Sequence, residues 1–152
     1  MVDVTGKPET HRVAVASGVL RMQPETLARI RSGSIAKGDV LTVADVAAVM
    51  AAKRTADIIP MCHTLALSGV EVKFSDVPEA DDQGRAGIRV VTTASCVGRT
   101  GVEMEALCAA STALLTIYDM CKAIDRGMRI EHIQLEEKRG GRSGVWQRTA
   151  GV

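Results

Sequence analysis

The chain has 152 residues, 19 basic and 18 acidic, and a formal net charge of +1. That length is enough for one self-supporting core, and the balanced charge excludes the global basic field typical of nucleic-acid binders. Aromatic residues make up only 2% (Phe74, Tyr118 and Trp146). Recognition by ring stacking, as for single strands or sugars, is therefore excluded, and charge and hydrogen bonds must do that work.

No apolar run reaches the roughly 18 residues a membrane span requires. The start, Met1-Val2-Asp3-Val4-Thr5, has neither the basic nor the apolar part of a secretory signal. A cytoplasmic protein is expected. Cys62, Cys96, Cys108 and Cys121 contain no Cys-x-x-Cys pair, so neither a zinc ribbon nor a disulfide framework is indicated. Cys108 and Cys121 fall in an apolar helical pattern and read as small buried hydrophobes.

In chain order, Val13, Val15, Val19 and Leu20 predict a strand over Arg12 to Met22, despite Gly18. Pro24 opens a helix with Glu25 in its first turn, and Gly33 ends it. Ser34 to Asp39 reads as a loop. Thr42 reads as the cap of a second helix, with Asp45 completing a capping-box variant. Val43, Val46, Ala47 and Met50 recur at helical spacing and predict its buried face. Pro60 closes that region. Val70, Val72 and Phe74 alternate with Glu71 and Lys73, giving a half-buried strand. Pro78 to Gly84 is a polar turn leading into a strand from Ile88 to about Val97. The longest helical pattern runs from Gly101 to Asp125. Ile130 to Lys138 forms a last strand whose broken alternation indicates a bulge. The segment Arg139 to Gly144 reads as a flexible basic tail. The expected fold is α+β: a two-layer sandwich, an antiparallel four-stranded sheet with helices on one face, in the βαββαβ order of the ferredoxin-like plan.

On the long helix, Leu107, Leu114, Ile117, Cys121 and Ile124 form a core stripe. Glu105, Thr112, Thr116, Asp119 and Arg126 fall on another side, with Lys122 neighbouring Asp119 at i+3. A solvated face with a surface ion pair would account for this. Met104, Cys108 and Leu115 beside the polar stripe point instead to a pocket or subunit contact, where burial makes Asp119 and Lys122 useful for proton transfer. Met61-Cys62-His63-Thr64 lies between a helix and a strand. Three scattered histidines make a poor metal set, so neither metal nor cofactor is expected. Lys37-Gly38-Asp39 and Lys138-Arg139-Gly140-Gly141-Arg142-Ser143-Gly144 pair cations with glycines, as phosphate-wrapping segments do. From the residues alone, this is an α+β domain with a polyanion site.

Several of these segments resemble the motifs of the cyclic pyranopterin monophosphate synthase family. They are Lys53 to Leu65 (KRTADIIPMCHTL), Gly101 to Leu107 (GVEMEAL), Thr116 to Ala123 (TIYDMCKA), Met1 to Thr5, Lys37 to Val40 and Lys138 to Gly144. The resemblance implies one domain over 1–144 with a short tail over 145–152. It implies a lyase that converts 3′,8-cyclo-7,8-dihydroguanosine 5′-triphosphate to cyclic pyranopterin monophosphate, releasing diphosphate. This is a step of molybdenum cofactor biosynthesis that comes after a radical-SAM GTP cyclase. It implies a homohexamer built as a trimer of dimers, with the site at a dimer interface. Carried over by motif, Asp119, Lys122 and Lys37 are the catalytic residues, with Asp119 as base and Lys122 or Lys37 as acid. Arg12, Met61, Cys62, His63, Glu103, Met104, Glu105 and Lys138 bind substrate, and Tyr118 helps to wall the site or the subunit contact. Thr64 stands where the family carries Pro, and the chain starts at the Val-Asp-Val motif that many members precede with a short leader. Neither departure touches a charged site residue, so activity is expected to persist. A binding module without turnover, or a purely structural oligomerisation domain, are the rival readings.

Overall fold

The computed structural model describes residues 1–77 and 79–149, and strand β1 (Thr10–Met22) lies at the centre of its sheet. Ala14, Ala16, Leu20 and Met22 alternate along β1 and are buried in the core. Helix α1 (Pro24–Arg31) starts on its proline without a side-chain cap of its own. The buried Asp125, far along the chain, supplies one. Its Oδ2 accepts from the Gln23 N–H at 2.8 Å and from Thr26 Oγ1 at 3.1 Å.

Helix α2 (Val40–Lys53) is capped by Asp39, not by Thr42 as expected. Asp39 Oδ1 accepts from the Thr42 N–H at 3.1 Å, and Oδ2 accepts from Thr42 Oγ1 at 2.7 Å. The carboxylate ahead of the first turn reaches the third helical N–H, which leaves Thr42 inside the helix. After the short α3 (Thr55–Ile58), β2 (Leu67–Val77) and β3 (Ala86–Gly98) pair as an antiparallel hairpin. Pro78 of the predicted turn lies outside the described residues. Asp81 organises the approach to β3, accepting from the Gln83 and Arg85 N–H groups and from Arg85 Nε.

Helix α4 (Glu103–Cys121) crosses back over the sheet to β4 (Arg129–Arg139). The register of β4 on β1 slips twice, at Val15/Ala16 and at Val19/Leu20, where the broken alternation of β4 pointed to a bulge. A fifth strand, β5 (Trp146–Gln147), pairs with Lys138 and Glu137. Among the described residues the sheet therefore has five strands rather than the expected four, in the order β2-β3-β1-β4-β5, with every pair antiparallel. A two-residue strand shows no alternation, so its sequence carries no strand signal.

Helices α2 and α4 pack on each other, and much of what they bury is alanine: Ala44, Ala48 and Ala52 of α2, and Ala106, Ala109, Ala110 and Ala113 of α4. Methyl side chains let two helix backbones approach closely. Val43, Val46 and Met50, expected as the buried face of α2, are instead 43%, 59% and 41% exposed. The face of α2 that is buried carries Ala44, Ala48, Ala51 and Ala52 instead, which leaves the larger side chains outward. On α4, Leu114, Ile117 and Cys121 are buried as expected. Ile124 is exposed, because the helix ends at Cys121. Gly18 lets α4 settle onto β1: a Cβ there would lie 2.8 Å from both Leu114 Cδ1 and the His132 carbonyl.

Candidate active site

The first cluster closes the C-terminal end of α4. Lys122 Nζ donates to Asp119 Oδ1 at 2.6 Å, a one-turn pair along the helix. Lys37 arrives from the loop between α1 and α2 and donates to Asp119 Oδ2 at 2.7 Å and to the Asp119 carbonyl at 2.9 Å. The last carbonyls of a helix lack partners within it, and a cation there also opposes the helix dipole. The hydrogen bonds from Lys122 and then Lys37 pull the Asp119 carboxyl down to about 2, and the same bond pushes the Lys122 ammonium up. These side chains line a hollow of about 340 Å³ with Tyr118 and Arg126. Tyr118 is a wall of it, its hydroxyl donating to the Arg126 carbonyl at 3.2 Å.

The second cluster lies around the other end of α4. Arg12 is 9% exposed and donates through Nε to the Gly98 carbonyl at 3.2 Å. Among the described residues no carboxylate lies within 4.0 Å of it. It opens into a cavity of about 490 Å³ that Lys7, Arg99, Lys138 and Arg142 also line. The segment Gly140–Ser143 forms one wall of this cavity. Gly140 and Gly141 adopt positive φ (94° and 75°), and a Cβ on either would collide with the His11 carbonyl or the Arg12 guanidinium. Lys138 Nζ donates to Ser143 Oγ.

A smaller cavity of about 160 Å³ is lined by Met61, Cys62, His63, Glu103, Met104 and Glu105, among others. Thr100, Gly101 and Glu103 border both cavities, so the two are neighbours. Glu105, on the helical stripe that also reads as a solvated face, is 4% exposed. Burial pushes its carboxyl up, and the nearby Glu103 charge adds to the shift. Burial and then the Glu105 charge push the Cys62 thiol up, which makes Cys62 a poor nucleophile.

Arg12, Met61, Cys62, His63, Glu103, Met104, Glu105 and Lys138 thus meet around one pair of cavities. Lys37, Asp119 and Lys122 meet at another. Asp119 follows Glu103 by 16 positions of unbroken helix, so the two groups stand about 24 Å apart at 1.5 Å per residue. Lys7, Arg99 and Arg142 were not picked out individually by the sequence as site residues. Isolated cations carry no pattern, and only the folded loops gather them around Arg12.

A family model described as "MoaC family" matches residues 1–141. The chain is 60% identical over 147 residues to a cyclic pyranopterin monophosphate synthase of Novosphingobium aromaticivorans, covering 97% of this chain and 89% of that protein. It is also 60% identical over 148 residues to a protein of the same name from Thermomicrobium roseum, covering 97% and 86%.

Proposed function

The chain belongs to the MoaC family, and we propose that it works as a cyclic pyranopterin monophosphate synthase with an active site divided between two copies. It is a lyase of molybdenum cofactor biosynthesis. Its substrate is 3′,8-cyclo-7,8-dihydroguanosine 5′-triphosphate, and its products are cyclic pyranopterin monophosphate and diphosphate.

The observation that carries the reading is Arg12. A buried guanidinium without a carboxylate partner is costly unless an anion completes it. Here it faces a cavity rimmed by further cations and by a loop whose glycines pack directly against the Arg12 side chain and the His11 carbonyl. In the reaction a ribose hydroxyl attacks the innermost phosphorus. The bond from that phosphorus to the bridging oxygen breaks, and diphosphate leaves. Arg12, Lys138, Lys37 and His63 share the phosphate charge, including the charge that develops on the leaving group.

Rebuilding the purine into a pterin needs repeated proton transfers, which fall to Asp119 as base and Lys122 or Lys37 as acid. With two ammonium donors on it, Asp119 is a weak base. The incoming triphosphate competes for Lys37. As Lys37 turns to phosphate, Asp119 keeps Lys122 but loses one of its two donors, and its basicity rises when substrate is present.

One rigid helix holds the two clusters too far apart for both to serve the same small molecule. A two-fold pairing of copies would bring the Asp119 cluster of one to the Arg12 cavity of the other, twice over. The exposed Val43, Val46, Met50 and Leu115 on α2 and α4 are apolar surface suited to such contacts. The full assembly in this reading is a hexamer of three such dimers. It acts in the cytoplasm after a radical-SAM GTP cyclase has made the substrate. The fold is read as the ferredoxin-like plan, which the order β2-β3-β1-β4 and the helical crossovers support.

Incubating the pure protein with the cyclic dihydro-GTP and following diphosphate and the pterin tests the reading. Turnover in the wild type, and its loss in a folded Asp119→Asn variant, are expected. Binding without turnover would sink it in favour of a binding module.

A further inference from the structure

Residues beyond Gly144 include a clasp that holds the phosphate-facing loop from behind. Lys138 pairs with Trp146 and Glu137 with Gln147, so Arg139 to Val145 is the loop of a β-hairpin rather than the start of a free tail. One stem, β4, is anchored on β1 along its length. The other, β5, has only two residues and nothing beyond it in the sheet. A ladder that short is weak by itself.

Arg148 reinforces it with four contacts. Its N–H donates to the Glu136 carbonyl at 2.8 Å, adding a rung past the end of β5. Its Nε donates to the Leu135 carbonyl at 2.8 Å and lies 3.9 Å from Glu136 Oε2. Its guanidinium sits 5.7 Å from the centre of the Trp146 ring. Glu136 is itself tied down by Ser17 of β1 and by Gln134. The clasp therefore leads from the returning strand to the sheet's centre.

The geometry points to Arg148 as a positioning residue for substrate phosphate. It does not line the phosphate cavity. It fixes the stem that sets Gly140, Gly141 and Ser143 over Arg12 and Lys138. The inference rests on the proposed phosphate role of that cavity. A loop held by both stems is preorganised for its ligand, and one held by a single stem must be ordered on binding. The loss should therefore fall on binding and spare the chemical step.

The test uses the full-length chain and three variants: Arg148→Ala, Arg148→Lys and, as a control, the remote Arg29→Ala. Steady-state turnover and the affinity for inorganic tripolyphosphate are measured for each. Arg148→Ala is expected to raise KM at least fivefold with kcat within twofold, and to weaken tripolyphosphate by a similar factor. Arg148→Lys, which keeps a charge beside Glu136 but loses the Nε bond, should recover part of the loss, and Arg29→Ala should behave as wild type. Unchanged KM and tripolyphosphate affinity in Arg148→Ala, with an active wild type, would overturn the inference. So would a parallel fall in kcat and melting temperature, which marks a merely structural role. An inactive wild type that ignores tripolyphosphate would instead refute the functional reading beneath it.

Discussion

Gly141 lies directly against Arg12. Its backbone has φ 75°, and a Cβ would overlap the Arg12 guanidinium. The left-handed backbone and the close approach both demand glycine, for separate reasons. Gly141→Ala is expected to weaken tripolyphosphate binding about tenfold, since backbone strain of ~1–2 kcal/mol is joined by displacement of Arg12. Titration calorimetry measures this. Equal affinity would show that the loop takes no part in holding phosphate.

Arg12 should trade stability for function. Its burial without a carboxylate partner is costly to the fold. Arg12→Met, of similar length, is expected to raise the melting temperature by a few degrees while lowering kcat/KM by about 100-fold, because phosphate loses a charge-assisted donor. Thermal melts and steady-state kinetics read the two effects. A variant both less stable and equally active would contradict the assignment.

If the active site is shared between copies, two dead variants can rescue each other. Asp119→Asn removes one half-site and Arg12→Ala the other. Co-refolding equal amounts should restore about a quarter of wild-type activity, because half of randomly paired dimers are mixed and each mixed dimer keeps one intact site of two. A mixture as inactive as its parents would place the whole site within one chain.

Asp119 and Glu105 predict opposite pH behaviour. Asp119 is held down to about 2 by Lys122 and Lys37. Its contribution is present above the ordinary carboxylate range and is lost as pH falls towards and through about 2. Glu105 is pushed up by burial, so its contribution is full below its unfolded value of 4.5 and is lost as pH rises through its folded value. Glu105→Gln should therefore melt higher than wild type at pH 8, with a smaller gap or none at pH 4.5. Asp119→Asn should melt lower than wild type at neutral pH, with the difference shrinking only in strong acid. Melting curves across that range decide both.

Period-2 alternation at Val70, Val72 and Phe74 was enough to place β2, because a strand with one buried face must alternate. Residue type and motif likewise singled out Lys37, Asp119 and Lys122, which the structure joins by hydrogen bonds, and Lys138, which lines the cavity at Arg12. Helical spacing also put Asp119 and Lys122 within reach of each other. Local sequence governs features whose physics is local: backbone period, turn residues, and neighbours one helical turn apart.

Other features depended on contacts between distant segments. Val43, Val46 and Met50 have the period of a core face, yet they point outward because α2 turns its alanine face, Ala44, Ala48 and Ala52, into the core. Asp125 caps a helix about 100 residues away in sequence, and no local signal encodes that. Arg12 lines a cavity with Lys138 and Arg142 only because the hairpin loop folds over it. The sequence by itself determined which chemical groups the protein carries and most of its regular elements. Tertiary structure alone decided which groups share a cavity, because α4 is a rigid rod that keeps the ends of one sequence pattern apart while the sheet brings Arg12 to Gly141.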